Sequence, residues 1–477
     1  MGVLLLPISL LIKSYTYIFG TSIYFLTEIP IYAYSLLLIY LLIITKRNDR
    51  YNSLQTKKLI NFRVLGSVGI ILVLQYIAMQ ISFHYIGNKG INFNPNKEFL
   101  KLVIFITCIF IHYYVVELSI SASKNGISRF MLGNFIALII LLIVSYLQFF
   151  FLFFPKSFAP IVSTVAKLFE ARYTRNWYDA GSYVQTVWRI NGFNQESDYL
   201  AMQFFVIFTP FILASIKNKV NLFFIKSNYN PWFFYILLLF IINLLFFAQT
   251  TTGFLAILII ILFCFVFWVQ QWVTIKGRIK KIIIALSFLI VAVTIVVIGS
   301  QNALIIQTLK LNLFSKLASG GSFINRAGGT IALLITWATH PIAGVGWNYH
   351  NYYMFQHIPV WATKNDEYLG VFLPQHSYPI LSEVGGWLAE FGSIAVLLLI
   401  LYLYQLLKSL RKLCRKNKSN PEYKEIKAFS DAAHFFVFFY LFSCLLSFPW
   451  WESIYLINFF FFVVLKRKLK TTYRFIN

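Results

Sequence analysis

The chain of 477 residues is 59% hydrophobic and 19% aromatic, and only 12% of its residues are charged. Soluble domains carry about 25% charged residues, so this composition excludes an ordinary soluble globular protein. The formal net charge is +25. Where that charge lies decides between a nucleic-acid-binding protein and a membrane protein with basic loops.

Apolar runs of about 20 residues are typical of membrane-spanning helices. Lys13 interrupts the first run, and the second and last runs are short. No internal repeat and no Pro-rich or Ser-rich linker divides the chain, so we predict one all-α polytopic membrane domain over residues 1–477 with about twelve transmembrane helices. The predicted spans are 3–25, 30–45, 64–86, 100–121, 130–154, 199–216, 230–248, 252–273, 282–300, 384–407, 430–448 and 453–465.

Basic residues concentrate in segments on alternate sides of successive predicted spans. These segments hold 28 of the 41 Lys and Arg residues and three acidic residues. The positive-inside rule places them in the cytoplasm, together with both termini. The basicity is therefore topological, so we expect contacts with membrane lipids and no nucleic-acid partner. The segments are 46–63, 122–129, 217–229, 274–281, 408–429 and 466–477.

Two of the connections on the opposite, outward face are long. They cover 155–198 and 301–383, and long structureless loops are uncommon unless they are functional. Within the second loop, 302–317 and 327–339 have helical apolar spacing but are too short or too polar to span. We predict that both are interfacial helices, with 327–339 as half of a further span as the alternative.

A histidine and two carboxylates follow one another at the end of the second long loop. Glu383 and Glu390 come seven and fourteen residues after His376, which puts all three on one face if a helix begins near Pro379. A histidine above a carboxylate is typical of an oriented general base for a hydroxyl. Alternatively, His376 caps the helix and Glu383 is exposed in its first turn. Glu390 lies deeper in the apolar helix, where an ionisable group indicates a functional or paired role.

Four arginines fall on the predicted outward face, namely Arg172, Arg175, Arg189 and Arg326. Arginine binds phosphate through a planar fork that stays charged. Arg172 and Arg175 would share a helical face, and the glycines around Arg326 allow the backbone to approach an anion closely. Alternatively, the arginines pair with acidic residues of the same loops and hold them together. Those acidic residues are Glu170, Asp179, Glu196 and Asp198.

The remaining polar residues give no sign of a metal or a nucleotide cofactor. The second long loop contains His340, His350, His357 and His376, but their spacing matches no common metal-binding pattern. No nucleotide-binding or zinc-hydrolase motif is present. We therefore predict a metal-free and cofactor-free membrane protein whose substrate comes from the lipid phase.

Three motifs carry a resemblance to a known family. HPIAGVGWNY matches an H-P-[LI]-x-G-V-G turn, H-S-x-x-I followed by E-V-G resembles an H-N-x-x-L…E-x-G run, and RINGFNQESDYLA resembles an R-x-x-G-x-F…N-x-x-A segment. With these motifs, about two-thirds of the chain resembles the bacterial O-antigen polymerase and O-antigen ligase superfamily. Ser377 stands where the family often has Asn, and Glu383 falls earlier than the usual carboxylate, so Glu383 and Glu390 both remain candidate partners of His376.

The resemblance implies a membrane-embedded, class C-like glycosyltransferase of the bacterial inner membrane, with its active face in the periplasm. The arginines of the two long loops and the departure at Ser377 favour a polymerase that joins oligosaccharide repeat units linked to undecaprenyl pyrophosphate, with a chain-length regulator as a further partner implied by the resemblance. Arg189 and Arg326 would bind the pyrophosphate, and His376 with Glu383 would activate the acceptor hydroxyl. The other candidate substrate-binding residues are His340, Glu390, Arg172 and Arg175.

Two alternatives to a polymerase remain open. A ligase would transfer the same glycan to lipid A core, and none of the motifs separates it from a polymerase. A flippase would place its binding groups near the membrane midplane on broken helices. We expect instead that the polar residues of this chain collect in its outer loops.

Overall fold

The computed structural model describes residues 2–13, 29–47, 62–87, 94–123, 125–172, 176–225, 227–272 and 321–476. Within these ranges the regular structure is helical throughout, without strands. The predicted span 282–300, the predicted interfacial helix 302–317 and Arg175 lie outside the described residues.

Fifteen α-helices are described in these ranges, most of them following the predicted apolar runs. α8 contains a π-helical turn over Gln203–Phe208. The helices are α1 (Gly2–Leu11), α2 (Ile29–Arg47), α3 (Phe62–Ile86), α4 (Pro95–Ala122), α5 (Gly126–Phe153), α6 (Pro155–Phe169), α7 (Tyr183–Val187), α8 (Ser197–Asn218), α9 (Pro231–Phe247), α10 (Thr251–Trp272), α11 (Gly321–Thr339), α12 (His350–His357), α13 (Glu383–Lys416), α14 (Tyr423–Ser443) and α15 (Ser453–Ile476).

Five of the described helices are long and apolar enough to cross a membrane: α3, α4, α5, α8 and α13. Apolar stretches in α1, α2, α9 and α10 are shorter. The all-helical membrane class predicted from the composition is thus confirmed, whereas the number of twelve spans stays a prediction.

Burial separates a central helix from a peripheral one. In the most apolar 18-residue window of α8, 94% of the residues are buried, against 17% in the window of α3. α14 packs on α8, and α15 packs on α4. The apolar side chains on the outer face of α3 are therefore available to lipid, while α8 forms the core of the bundle.

Two ion pairs join helices; the first is fully buried, and the second pairs a buried carboxylate with an arginine that is 33% exposed. Lys13, just after α1, lies 2.6 Å from Glu452, just before α15, and only 1% and 7% of their side-chain surfaces are exposed. Arg467 on α15 pairs with Glu117 on α4. Breaking the pair of Lys13 and Glu452 would leave an uncompensated charge in a low-dielectric interior, which typically costs 3–5 kcal/mol. These pairs therefore tie the ends of the chain to the bundle.

The two long predicted loops are folded where the structure describes them. The first contains α6 and α7. The second contains α12 and also α11, which covers the predicted interfacial helix 327–339 and begins six residues before it. α11 packs against α12 and α13, so this loop is built onto the helix bundle.

Candidate functional site

The motif HPIAGVGW runs alongside a break in α13. The break is at Gly392, whose φ of 73° and ψ of 179° lie far from helical values. A break of this kind leaves backbone carbonyls without intrahelical partners. Here Val345 donates to the carbonyl of Ala389 at 2.8 Å, and Gly346 donates to that of Glu390 at 3.1 Å. The motif therefore supplies the hydrogen bonds that the interrupted helix lacks.

The glycines of this motif are required by close backbone approach. A Cβ on Gly344 would lie 2.5 Å from the carbonyl oxygen of Ala389, and one on Gly346 would lie 2.8 Å from Met79 Cγ. Both residues also have positive φ angles, of 68° and 94°, which glycine adopts without steric cost. Gln75 of α3 secures the same contact, since its Nε2 donates to the carbonyls of Ala343 and Glu390.

Two buried carboxylates meet at the end of the motif. Glu390 Oε1 accepts the backbone N–H of Asn348 at 2.8 Å and lies 2.6 Å from Nδ1 of His350. The side chain of Asn348 donates to Glu98 at 2.8 Å, and Lys101 pairs with the other oxygen of Glu98 at 2.7 Å. Asn348 thus joins two carboxylates, one of which is also bound by the imidazole of His350 and the other by the ammonium of Lys101.

His376 is placed differently from the prediction. α13 begins at Glu383, with the side chain of Ser382 capping its first turn, so the helix does not start near Pro379. His376 lies in a preceding turn, exposed and with a φ of 46°. It therefore shares no helical face with Glu383 and Glu390 and does not cap α13. Among the described residues, no hydrogen bond joins His376 to either carboxylate.

The turn that carries His376 is nevertheless anchored beside Arg326. Tyr378 donates its hydroxyl to the carbonyl of Asn325 at 2.7 Å and its backbone N–H to Asn351 at 2.8 Å. Burial raises the pKa of Tyr378, so the phenol stays protonated as a donor. Because Asn325 precedes Arg326, this bond fixes the turn against the N-terminal part of α11.

Arg326 connects the two long predicted loops. Its Nη2 lies 3.6 Å from Oδ2 of Asp198, at the start of α8, and 33% and 25% of the two side chains are exposed. Partly exposed ion pairs of this length contribute little stability. The contact therefore brings the second loop to the end of the first, and it leaves the guanidinium accessible to a further anion.

Arg189 lies immediately before a rigid corner in the first loop. Gln148 of α5 both donates to Asn191 and accepts the backbone N–H groups of Asn191 and Gly192, at 2.8–3.0 Å. Asn194 and Gln203 exchange two side-chain hydrogen bonds of 2.9 Å. All four of these polar side chains are buried. A buried polar network whose hydrogen bonds are all made rigidifies the backbone. The half-buried side chain of Arg189 is therefore attached next to a rigid stretch of backbone.

Arg172 is engaged within its own loop. Its guanidinium donates to the carbonyl of Gly181 at 2.7 Å, lies 5.3 Å from the ring of Tyr178, and approaches Glu170 at 3.9 Å. This is the pairing alternative considered for the outward arginines. The structure does not bring Arg172 to Asp198 and Arg326 through any described contact.

Glu170 gives the first loop a pH-dependent stability. Burial raises the pKa of its carboxyl from 4.5 to about 7, against the opposing effect of a hydrogen bond from the N–H of Tyr183. The folded protein therefore favours the neutral carboxyl. The stability that this preference contributes is complete below about pH 4.5 and is lost as the pH rises through about 7. The cost at higher pH is about 3 kcal/mol.

We expect Glu170→Gln to remove that cost, because the amide is neutral at every pH. The variant should unfold at a higher temperature than the parent at pH 8, and the difference should vanish below about pH 4.5. Thermal unfolding of the purified protein in detergent at several pH values measures this. Asp179→Asn, an exposed carboxylate of the same loop, is the control. An unchanged pH dependence in Glu170→Gln would contradict the assignment.

The remaining histidines of the second loop form a small group around α12. The ring of His340 lies 4.9 Å from that of Tyr353, and Nδ1 of His357 lies 3.1 Å from the hydroxyl of Thr336. Burial, and to a smaller extent His340, lowers the pKa of His357. In the described part of the chain, no three His, Cys, Asp or Glu side chains are arranged to hold a metal ion.

Several important residues were not singled out from the sequence. Gln75, Asn348 and the pairing of His350 with Glu390 depend on contacts between distant segments. The positive φ of Asn348, 67°, has a local signal, because Asn tolerates left-handed backbone better than most residues. Comparison with known proteins finds no family model that matches the chain and no similar curated protein.

Proposed function

We propose that the protein is a polysaccharide polymerase that joins lipid-pyrophosphate-linked oligosaccharide repeat units on the outward face of the membrane. One observation carries the proposal: the 3.6 Å contact of Arg326 with Asp198 joins the two long loops. Asp198 lies nine residues after Arg189. The hydrogen bond from Tyr378 to Asn325 anchors the turn that carries His376 to the N-terminal part of α11, next to Arg326.

The proposed chemistry follows from these groups. A pyrophosphate leaving group gains negative charge as its bond to the sugar breaks, and preorganised cations stabilise that charge without reorganisation. Arg189 and Arg326 are the proposed cations, and the family resemblance supplies the undecaprenyl carrier. The acceptor hydroxyl must lose a proton to a nearby base. The resemblance assigns that base to His376, which is exposed to an approaching sugar.

A flippase for the same lipid-linked sugars is the second candidate. The break at Gly392 lies within a helix long enough to span the membrane, and the buried pair of His350 and Glu390 adjoins it. Broken helices with polar groups are typical of transporter binding sites. The polar residues of the chain are thus not confined to its predicted outer loops. The structure therefore gives a flippase more support than the sequence alone.

Deletion of the protein in its host separates the candidates. Loss of a polymerase should leave single-repeat glycan attached to lipid A core. Loss of a ligase should leave long glycan on its undecaprenyl carrier, and loss of a flippase should leave single repeats on the cytoplasmic side of the membrane. Gel electrophoresis of surface glycan and extraction of lipid-linked glycan measure these outcomes. An unchanged glycan ladder in the deletion strain would contradict all three functions.

A further inference from the structure

The carboxylate that was expected to orient His376 orients a different histidine. Glu390 Oε1 lies 2.6 Å from Nδ1 of His350. When the carboxylate is ionised it only accepts hydrogen bonds, so a neutral ring then carries its hydrogen on Nδ1 and presents Nε2 as an acceptor. A carboxylate that fixes the tautomer and orientation of an imidazole is the arrangement of an activated base.

The backbone holds this carboxylate in place. Glu390 lies two residues before the break at Gly392, and its own carbonyl is bound by Gly346 and by Gln75. The same Oε1 also accepts the N–H of Asn348. The segments that carry Glu390 and His350 are therefore held together by these hydrogen bonds, in addition to the bond between the two side chains.

The histidine is enclosed but not sealed. The side chain of His350 is 9% exposed and that of Glu390 is 5% exposed, so both groups are largely shielded from bulk solvent. His350 begins α12, one turn before Tyr353, whose ring contacts that of His340. A base in this position is protected from bulk water, and it lies at the start of a helix in the second long predicted loop.

We propose that His350, positioned by Glu390, is the proton acceptor of the outward reaction in place of His376. This inference rests on the proposed glycosyl transfer. As the acceptor oxygen bonds to the anomeric carbon of the donor, the bond from that carbon to the pyrophosphate oxygen breaks, and its electron pair leaves with the pyrophosphate. The hydroxyl proton moves to Nε2 of His350 and passes later to water.

The test separates proton transfer from a structural role. His350→Asn keeps an N–H donor near the position of Nδ1 and removes the proton acceptor, so the bond to Glu390 can persist without the chemistry. Glu390→Gln keeps an oxygen that accepts both N–H groups and removes only the charge. His350→Gly leaves space that added imidazole can fill. His434→Asn is the control, because His434 also bonds through Nδ1, to the carbonyl of Ser430.

Each variant is expressed in the deletion strain, and the rate of glycan chain extension is measured by pulse-labelling, together with the membrane level and the unfolding temperature in detergent. We expect His350→Asn to slow extension by about 100-fold or more, the usual contribution of a general base. We expect Glu390→Gln to slow it by about 10-fold or more at an unchanged unfolding temperature. Imidazole in the medium should restore extension in His350→Gly, and His434→Asn should match the parent.

The outcomes distinguish this inference from the function on which it rests. If the unaltered protein restores no chain extension, the proposed function fails, and the inference fails with it. If the unaltered protein restores extension and Glu390→Gln extends chains at the same rate, the inference alone is overturned. The same holds if His350→Asn is fully active, or if His350→Gly is inactive at a normal membrane level and imidazole does not restore it.

Discussion

Replacement of Arg326 by alanine is expected to stop glycan chain extension while leaving the protein folded in the membrane. Arg326 lies in the N-terminal part of α11, and its guanidinium is partly exposed and 3.6 Å from Asp198. Removing one preorganised donor from a developing anion typically slows a reaction by 10²–10³-fold. Pulse-labelled chain extension in a deletion strain should fall by at least about 100-fold, and Arg326→Lys should recover part of that loss, because lysine keeps the charge without the planar fork.

A matched variant distinguishes phosphate binding from loop cohesion. Asp198→Asn breaks the ion pair but keeps the arginine, so it should retain most of the extension rate if Arg326 binds a phosphate. Should Asp198→Asn and Arg326→Ala lose activity equally, the arginine holds the loops together and the phosphate role is disproved. Arg129→Ala serves as a control for arginine removal, since Arg129 is an exposed residue that donates to Ser123 on the predicted cytoplasmic side.

Gly392→Ala is expected to be the most destabilising single change in the described part of α13. The φ of 73° and ψ of 179° fall in a region that is essentially restricted to glycine. A Cβ there would also lie 2.3 Å from the carbonyl oxygen of Ile342 and 2.5 Å from the backbone nitrogen of Gly344. Backbone strain and overpacking together should cost about 3 kcal/mol or more.

Thermal unfolding in detergent and the amount of protein in the membrane measure this effect. Gly66→Ala is the control, because a Cβ on Gly66 meets nothing within 4 Å. Alanine at that helical position should be neutral or should stabilise the protein by up to about 1 kcal/mol. Equal unfolding temperatures for the two variants would show that the backbone at Gly392 can relax into an ordinary helix.

Most of the helices could be predicted from the sequence, because a long apolar run indicates both a helix and its burial in a membrane or a core. Residues 64–86 and 130–154 were predicted as spans, and the structure describes helices over Phe62–Ile86 and Gly126–Phe153. The break in α13 could not be predicted in the same way. Its stability depends on hydrogen bonds from a segment some 45 residues earlier, and glycine in a helical pattern does not by itself reveal such a partner.

The candidate site shows the same limit. The arginines of the two long predicted loops and the polar character of 340–392 were evident from residue types, but the pairing of Glu390 was not. Helical spacing joined His376 to Glu390, whereas the structure joins Glu390 to His350 across a chain separation of 40 residues. Periodicity describes residues on one continuous helix, and here His376 lies in a turn that ends before α13 begins at Glu383.

The buried pair of Lys13 and Glu452 has a consequence for how the protein is made. The two residues are 439 positions apart, and at about 5–20 residues per second the ribosome needs roughly 20 to 90 seconds to pass from the first to the second. During that interval the nascent first helix has an ammonium group but not the carboxylate that neutralises it in the finished bundle. The early part of the chain therefore cannot reach its final burial until the last helix arrives.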